Sequence, residues 1–219
     1  MNINEYFNQI YVINLDSRPD RMASVEKQLE NANISNYKRF SAIKVEPENL
    51  SRYSTVSYDR FEKKYSKYIL GSLGCKLSHL AVIKEAQEND YDRILILEDD
   101  ILIDENIDVM FEKATNQLKE WDMFYLGGNY RYGGLYANGN KWEQDVFSDN
   151  IQKLKGAMCA CAYGLSKNIY GAILNNAFQS GQEIDIFYYS MHQFRNEFGY
   201  YGVIPEIITQ IAENNSDIK

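Results

Sequence analysis

Three consecutive carboxylates, Glu98-Asp99-Asp100, are the residues of this chain best suited to hold a metal ion. They directly follow Arg93-Ile94-Leu95-Ile96-Leu97, a short apolar run that predicts a strand buried on both faces of a mainly parallel sheet. Adjacent acids repel one another, and a cation relieves that repulsion. Because open α/β sheets bind ligands at the carboxyl ends of their central strands, we expect Mg²⁺ or Mn²⁺ here with a phosphorylated substrate. A solvated acidic turn is the alternative interpretation.

Two arginines could add positive charge to such a site. Arg18 and Arg21 fall on the first turn of a predicted helix that follows the strand Ile10–Leu15. A helix N-terminus already favours anions, and guanidinium groups strengthen that preference, so a diphosphate is the expected ligand. The alternative is a solvated helix start in which Asp20 and Glu26 pair with the arginines.

Two later residues have types that could take part in proton transfer. Asp185 opens the predicted helix Gln182–Phe194 and is either a helix cap or an active-site carboxylate. His79 lies on a helix that we predict to begin at the Gly71–Gly74 stretch and to reach Gln87. A single histidine on a helix is more typical of a hydrogen-bonded structural residue than of a base.

The elements that must position these residues alternate between strands and helices. Further strands are predicted at Tyr37–Ile43, Trp121–Leu126, Ala157–Leu165, Gly202–Pro205 and Ile207–Gln210. Apolar stripes with helical spacing separate them, for example Met22, Val25 and Leu29. This alternation predicts an α/β fold in which helices flank a mostly parallel central sheet, as one domain over residues 1–219.

The bulk composition narrows the class of protein further. The chain has 219 residues, 45% of them hydrophobic, which suffices for a globular core. Its 31 acids against 23 bases give a net charge of −8, which argues against nucleic acid as a partner. The sequence has neither a signal-peptide pattern nor an apolar run of ~18 residues, so we expect a cytoplasmic protein without a membrane span. Peripheral contact with a membrane face stays open.

The three cysteines indicate a reducing compartment. Their number is odd, and Cys159-Ala-Cys161 lacks the CxxC spacing of redox and zinc motifs. We therefore predict no disulfide framework, and we interpret Cys159 and Cys161 as small side chains of the core.

In order, the motifs of this chain resemble those of glycosyltransferase family 25, which includes bacterial lipooligosaccharide galactosyltransferases and procollagen galactosyltransferases. The resemblance runs from about Ile10 to Ile218 and rests on IYVINLDSRPDR, GSLGCKLSHLAVIKEA, RILILEDDI, WDMFYLGG, CACAYGLSK, EIDIF and a closing Q…SDI. It implies a GT-A type fold, with a donor-binding half at about 8–128 and an acceptor-side half at about 129–219.

The resemblance also implies roles for individual residues. Glu98 and Asp100 would hold Mn²⁺ or Mg²⁺ on the donor diphosphate, and Asp99 would lie near the ribose or sugar. Asp185 would be the general base, with Asp217 the next candidate. The other matched positions would surround the donor, with Ser78 and His79 either structural or on the donor side: Asn14, Leu15, Arg18, Arg21, Ala42, Ser78, His79, Gln210 and Asp217.

The activity that the resemblance implies is an inverting transfer of galactose or glucose from a UDP-sugar to a hydroxyl of a glycan, lipid-linked glycan or glycoprotein. The loops 44–70 and 129–150 would select the acceptor, but they carry no readable code, and nothing in the sequence indicates the oligomeric state. A nucleotidyltransferase is one rival, although the chain lacks a second carboxylate set or a basic Gly-rich loop near the N-terminus. The other rival is a non-catalytic sugar- or partner-binding protein on the same fold.

Overall fold

The computed structural model describes residues 2–53, 66–129 and 145–211. The strands are β1 (Gln9–Asn14), β2 (Tyr37–Ser41), β3 (Arg93–Glu98), β4 (Ile101–Ile103), β5 (Met123–Asn129), β6 (Asp145–Ser148), β7 (Ile151–Lys153), β8 (Met158–Ser166), β9 (Tyr200–Val203) and β10 (Ile208–Gln210). The helices are α1 (Ile3–Tyr6), α2 (Pro19–Asn31), α3 (Ser66–Glu88), α4 (Ile107–Gln117), α5 (Lys167–Asn176) and α6 (Ile184–Phe194), with a 3₁₀ helix at Pro47–Arg52.

The central sheet is mixed, but most of its strands run in one direction. Its order is β2-β1-β3-β8-β5-β9-β7-β6. Strand β1 is parallel to β2 and β3, and β5 is parallel to β9, whereas β8 and β7 run against their neighbours. The predicted α/β fold with a mostly parallel sheet is therefore confirmed.

Strand β3 is buried on both faces, as its unbroken apolar sequence predicts. Ile94 and Ile96 pack into the cluster that includes residues of α3, α5 and α6. Leu95 and Leu97 pack into the opposite cluster, which includes residues of α1, α2 and α4. Because successive side chains of a strand point to opposite faces, one apolar run anchors both helical layers. The acidic triplet is thereby fixed at the end of a rigid central strand.

Helix α2 follows the end of β1 closely. Pro19 is its first residue, where a missing N–H leaves no helical hydrogen bond unmade. Met22, Val25 and Leu29 are buried on its inner face, as predicted. The first turn of α2 consequently places Arg21 beside the carboxyl ends of β1 and β3.

Helix α3 differs from its prediction at its start. It begins at Ser66, so Gly71 and Gly74 lie inside the helix and do not open it. A Cβ atom at Gly74 would come within 2.5 Å of the carbonyl oxygen of Ile43, which explains the glycine there by close backbone approach. Ser78 fastens the same contact, because its Oγ accepts from the Ile43 N–H at 2.8 Å and donates to the Gly74 carbonyl at 2.7 Å.

A small two-stranded sheet, formed by β4 and β10, lies next to the acidic triplet. Strand β10 pairs antiparallel with β4 and packs over β5, and the Ile211 N–H donates to the Asp100 carbonyl at 2.7 Å. The late strand at Ile207–Gln210 was predicted, but the three-residue β4 was not. In the residues that the structure describes, no helix is both long and apolar enough to cross a membrane.

Candidate active site

Two cavities lie at the carboxyl end of β3. The larger has a volume of about 720 Å³ and is lined by the whole acidic triplet, by residues that follow β1 and β2, and by one face of α3. The smaller has a volume of about 260 Å³ and includes Asp185 in its wall. Both cavities are lined by Cys75, Glu98 and Gln210, so the two spaces share one wall.

Asp99 is buried and accepts hydrogen bonds at both carboxylate oxygens. Asn14 Nδ2 donates to its Oδ2 at 2.7 Å, and Arg21 Nη1 donates to its Oδ1 at 2.9 Å. Asn14 is held in turn, because its Nδ2 also donates to the Arg18 carbonyl at 2.9 Å and its Oδ1 accepts from Arg39 Nε at 2.8 Å. Asp99, which follows β3, is thus hydrogen-bonded to both β1 and α2.

Asp100 has weaker partners and a perturbed pKa. Gln210 Nε2 lies 3.4 Å from each of its carboxylate oxygens, and Arg21 Nη1 lies 3.7 Å from Oδ2. Burial, followed by the nearby charge of Glu98, raises the pKa of Asp100 from 3.8 to about 6, although Arg21 and Gln210 lower it in part. The charged form of Asp100 is therefore less favourable here than on an exposed aspartate.

The carboxylate oxygens that line the larger cavity suit a divalent cation such as Mg²⁺ or Mn²⁺. Glu98 and Asp100 both line it, and carboxylate oxygens are the ligands that Mg²⁺ and Mn²⁺ prefer. A cation beside Asp100 would stabilise the charged form that burial disfavours.

Glu98 also contacts a sulfur and an imidazole from α3. Its Oε1 lies 3.3 Å from His79 Nε2 and 3.7 Å from Cys75 Sγ. His79 is fully buried, and its Nδ1 lies 2.6 Å from the hydroxyl of Tyr163, which is 3.0 Å from the hydroxyl of Tyr188. Burial raises the pKa of the Cys75 thiol well above 9.0, and the charge of Glu98 adds to that effect.

The two arginines of α2 have different surroundings. Arg21 lines the larger cavity and contacts the acidic triplet. Arg18 makes two bonds to Asp20, from Nε to Oδ1 at 3.0 Å and from Nη2 to Oδ2 at 2.9 Å. Arg18 therefore pairs with Asp20, as the alternative interpretation of this helix start predicted, whereas Arg21 lines the larger cavity.

Some of the other residues predicted to surround the sugar donor line the larger cavity, and some are also hydrogen-bonded to neighbouring elements. Leu15, Ala42, Ser78 and His79 all line the larger cavity. Ser78 and His79 are also fully buried and hydrogen-bonded, so both have structural partners as well. Gln210, the last residue of β10, is exposed and reaches Asp100.

Asp185 lies in the first turn of α6 and is half-buried in the smaller cavity. Its Oδ1 accepts from the Ile186 N–H at 2.8 Å, and a backbone hydrogen bond from Cys159 also stabilises its charged form. Burial nevertheless raises the pKa of Asp185 above 3.8. Asp185 and Glu98 of the acidic triplet both line this smaller cavity.

Some predicted residues lie outside the description. Asp217, residues 54–65 of the loop 44–70 and residues 130–144 of the loop 129–150 lie outside the residues that the structure describes. The cysteine prediction holds only in part. All three cysteines are free, and Cys161 is buried, but Cys159 is half-buried and lines the smaller cavity.

Sequence reasoning missed Cys75, Arg39 and Tyr163 as neighbours of the site. For Cys75 a signal existed, because Cys75 and His79 are four residues apart and share one helical face. Arg39 and Tyr163 reach the site through sheet pairing, which local sequence patterns do not reveal.

Curated proteins similar to this chain include both enzymes and proteins named inactive. The chain is 28% identical over 130 residues to "Probable inactive glycosyltransferase 25 family member 3" of Rattus norvegicus, across 55% of this chain and 23% of that protein. It is 26% identical over 130 residues to "Procollagen galactosyltransferase 2" of Homo sapiens, across 55% and 21%. It is 31% identical over 167 residues to "Procollagen lysyl hydroxylase and glycosyltransferase" of Acanthamoeba polyphaga mimivirus, across 70% and 18%. The chain thus spans less than a quarter of the length of each.

A solved structure of similar size and the family model complete the comparison. The solved structure is that of a glycosyltransferase involved in glycosylation of the major capsid of PBCV-1, with 10% identity, a TM-score of 0.49, and coverage of 95% of this chain and 94% of that one. The model of "Glycosyltransferase family 25 (LPS biosynthesis protein)" matches residues 7–187. Because that match takes in most of the sequence, the chain belongs to glycosyltransferase family 25.

Proposed function

We propose that this protein transfers a hexose, galactose or glucose, from a UDP-sugar to a hydroxyl of a glycan, lipid-linked glycan or glycoprotein, with inversion at the anomeric carbon. The observation that carries the proposal is the pair of cavities that share Glu98. The larger has carboxylates and an arginine for a nucleoside diphosphate, and the smaller has a carboxylate for an acceptor hydroxyl.

In this proposal the donor occupies the larger cavity. Asp99 fixes the direction of Asn14 and Arg21, and the Arg21 guanidinium supplies positive charge to the diphosphate. Glu98 and Asp100 would hold Mn²⁺ or Mg²⁺. The bound ion would act as a Lewis acid that stabilises the departing diphosphate.

The acceptor hydroxyl enters from the smaller cavity and gives its proton to the Asp185 carboxylate. The backbone N–H groups of Ile186 and Cys159 hold that carboxylate in place. Its raised pKa makes it a stronger base than an exposed aspartate. The acceptor oxygen then displaces UDP in one step, so no covalent enzyme intermediate is needed.

A second candidate is a donor-binding protein without transfer activity. Relatives named inactive favour it. In that case the larger cavity would still bind UDP, whereas the smaller cavity would have no catalytic role.

The test is UDP release. The protein is incubated with UDP-galactose or UDP-glucose, Mn²⁺ and a panel of saccharides, and UDP is measured together with any new glycoside. Release that needs metal and is lost in Asp185→Asn supports the proposal. UDP binding without release from either donor on any acceptor favours the non-catalytic candidate.

A further inference from the structure

A second group of possible metal ligands lies beside Glu98 and Asp100, the two carboxylates proposed to bind Mg²⁺ or Mn²⁺. Cys75 Sγ, His79 Nε2 and a Glu98 carboxylate oxygen all lie within 4.8 Å of one another. Cys75 and His79 project from the same face of α3, and Glu98 ends β3. Thiolate, imidazole and carboxylate are together a ligand set typical of zinc, whereas Mg²⁺ and Mn²⁺ favour oxygen ligands alone.

The observed distances approach those of a zinc site. In a tetrahedral site with ordinary bond lengths, ligand atoms are separated by roughly 3.3 Å for nitrogen and oxygen and by about 3.5 Å for sulfur and oxygen. The structure has 3.3 Å between His79 Nε2 and Glu98 Oε1, and 3.7 Å between Cys75 Sγ and the same oxygen. Two of the three ligand separations therefore need almost no movement.

The imidazole of His79 is also held as a metal ligand would be. Its Nδ1 lies 2.6 Å from the Tyr163 hydroxyl, and the two rings are stacked with centroids 5.7 Å apart. If Nδ1–H donates to Tyr163, the tyrosine can donate onward to Tyr188 at 3.0 Å, and Nε2 then presents a lone pair towards Glu98. Such an outer partner, which fixes the tautomer, accompanies almost every metal-binding histidine.

We propose that Cys75, His79 and Glu98 bind one Zn²⁺ ion, with its fourth position open to the shared wall of the two cavities. Binding converts the Cys75 thiol into a thiolate and releases one proton. The zinc ion would bind Glu98, which is also a proposed ligand of Mn²⁺ or Mg²⁺. It would lie between the larger cavity, proposed for the sugar donor, and the smaller cavity, proposed for the acceptor. Zinc bound there inhibits transfer, an effect that rests on the proposed function.

The competing explanation is a hydrogen-bonded trio without metal. In that arrangement Nε2–H of His79 donates to Glu98, and Tyr163 donates to Nδ1. The same heavy-atom distances would result, so metal binding itself must be measured.

The first test uses Co²⁺ as a spectroscopic substitute for zinc in metal-stripped protein. We expect a thiolate-to-cobalt charge-transfer band that stoichiometric Zn²⁺ abolishes. Cys75→Ser should lose the band, whereas Cys159→Ser, at the other half-buried cysteine, should keep it. Because loss of an outer-shell partner alone costs about 10–100-fold in metal affinity, loss of the Cys75 thiolate should weaken zinc binding by at least about 100-fold.

A second measurement needs no variant and covers the case in which Cys75→Ser fails to fold. Zn²⁺ should slow alkylation of Cys75 in the unmodified protein, as located by peptide mass spectrometry, and should leave Cys159 unchanged. Unchanged alkylation of Cys75, or a cobalt band that survives in Cys75→Ser, would overturn the zinc site.

The inhibition is tested separately, by Zn²⁺ titration of UDP release at fixed excess Mn²⁺. Zinc should inhibit the unmodified protein and the Cys159→Ser variant at much lower concentration than it inhibits Cys75→Ser. Equal inhibition of all three would overturn the inhibitory role. Cys75-dependent cobalt binding in a protein that never releases UDP would leave the zinc site standing and remove the proposed function.

Discussion

Asp99 and Asp100 are adjacent in the chain but have opposite surroundings. Asp99 accepts from Asn14 and Arg21 at short distances, so its charge is already satisfied. Among the described residues, the side-chain partners of the Asp100 carboxylate lie at 3.4 Å and beyond, and burial raises its pKa to about 6. We therefore propose that Asp99 orients the site and that Asp100 binds the cation.

The first prediction concerns that assignment. Asp100→Asn keeps the shape of the side chain but removes the negative charge that a cation needs. We expect the gain in UDP affinity on adding Mn²⁺ to disappear in this variant. Calorimetric titration of UDP measures it, with Asp108→Asn, an exposed acid of α4, as the matched control. A metal-dependent gain of unchanged size would remove Asp100 from the metal site.

The second prediction separates the two arginines of α2. Arg21 faces the larger cavity, so Arg21→Ala should weaken UDP binding by ~1.5–3 kcal/mol, the range for a hydrogen bond to a charged group. Arg18 is paired with Asp20 on the exposed start of the helix, so Arg18→Ala should have a smaller effect. Equal losses in the two variants would contradict the distinction.

The third prediction concerns Asp185. The base must be ionised to accept a proton, and burial raises its pKa, so transfer should fall as the pH falls through that raised value. Asp185→Asn should retain UDP binding and lose transfer at every pH. A pH–rate profile together with UDP titrations checks both points, and full activity in Asp185→Asn would shift the assignment to another residue, Asp217 first.

At the scale of elements, patterns that depend on neighbours in sequence predicted the structure well. Strand β3 and the inner face of α2 follow directly from apolar periodicity. The start of α3 was predicted wrongly, because Gly71 and Gly74 in the sequence indicate the beginning of a helix. In the structure Gly74 is instead explained by the close approach of the Ile43 backbone, which the sequence does not reveal. Strand β4 has only three residues and depends on pairing with β10.

The fourth prediction tests how tightly β10 must pack. A Cβ atom at Gly127 in β5 would lie 1.8 Å from the carbonyl oxygen of Ile208, so Gly127→Ala must displace β10 and with it Gln210. We expect a loss of ~1–3 kcal/mol in the free energy of unfolding, measured by urea denaturation, together with weaker UDP binding. Gly171→Ala in α5 is the control, since nothing lies within 4 Å of its new Cβ, and it should stabilise by about 0.4–1 kcal/mol. Equal stability of the two variants would contradict the close packing.

At the scale of the whole molecule, the candidate site is assembled from distant parts of the chain. Asn14 and Asp99 are 85 residues apart, and Asp100 and Gln210 are 110 apart. Local sequence patterns indicated candidate residues, and the family resemblance implied their roles. Neither could predict that Cys75 and His79 share Glu98 with the predicted cation site, because that contact depends on how α3 packs against the sheet.

The fifth prediction concerns stability and pH in the metal-free protein. A folded-state pKa of about 6 against 3.8 for Asp100 means that the folded protein keeps a proton which the unfolded chain has released. Stability should therefore fall as pH rises from about 4 to about 6 and stay lower above that, by up to about 3 kcal/mol.

A divalent cation should offset that loss. Mn²⁺ should raise the melting temperature more at about pH 7.5 than at about pH 5, because only the ionised carboxylate binds it. Thermal unfolding with and without chelator measures the increment, which Asp100→Asn should lose. An increment that does not depend on pH would place the cation elsewhere.

Calorimetric titration of the protein with UDP, UDP-galactose and UDP-glucose, with and without Mn²⁺, decides whether the larger cavity binds a nucleotide-sugar. We expect binding that depends on the metal and is tighter for one of the two sugars, which would identify the donor. No binding of any of the three ligands under either condition would contradict the assignment of the larger cavity to a nucleotide-sugar.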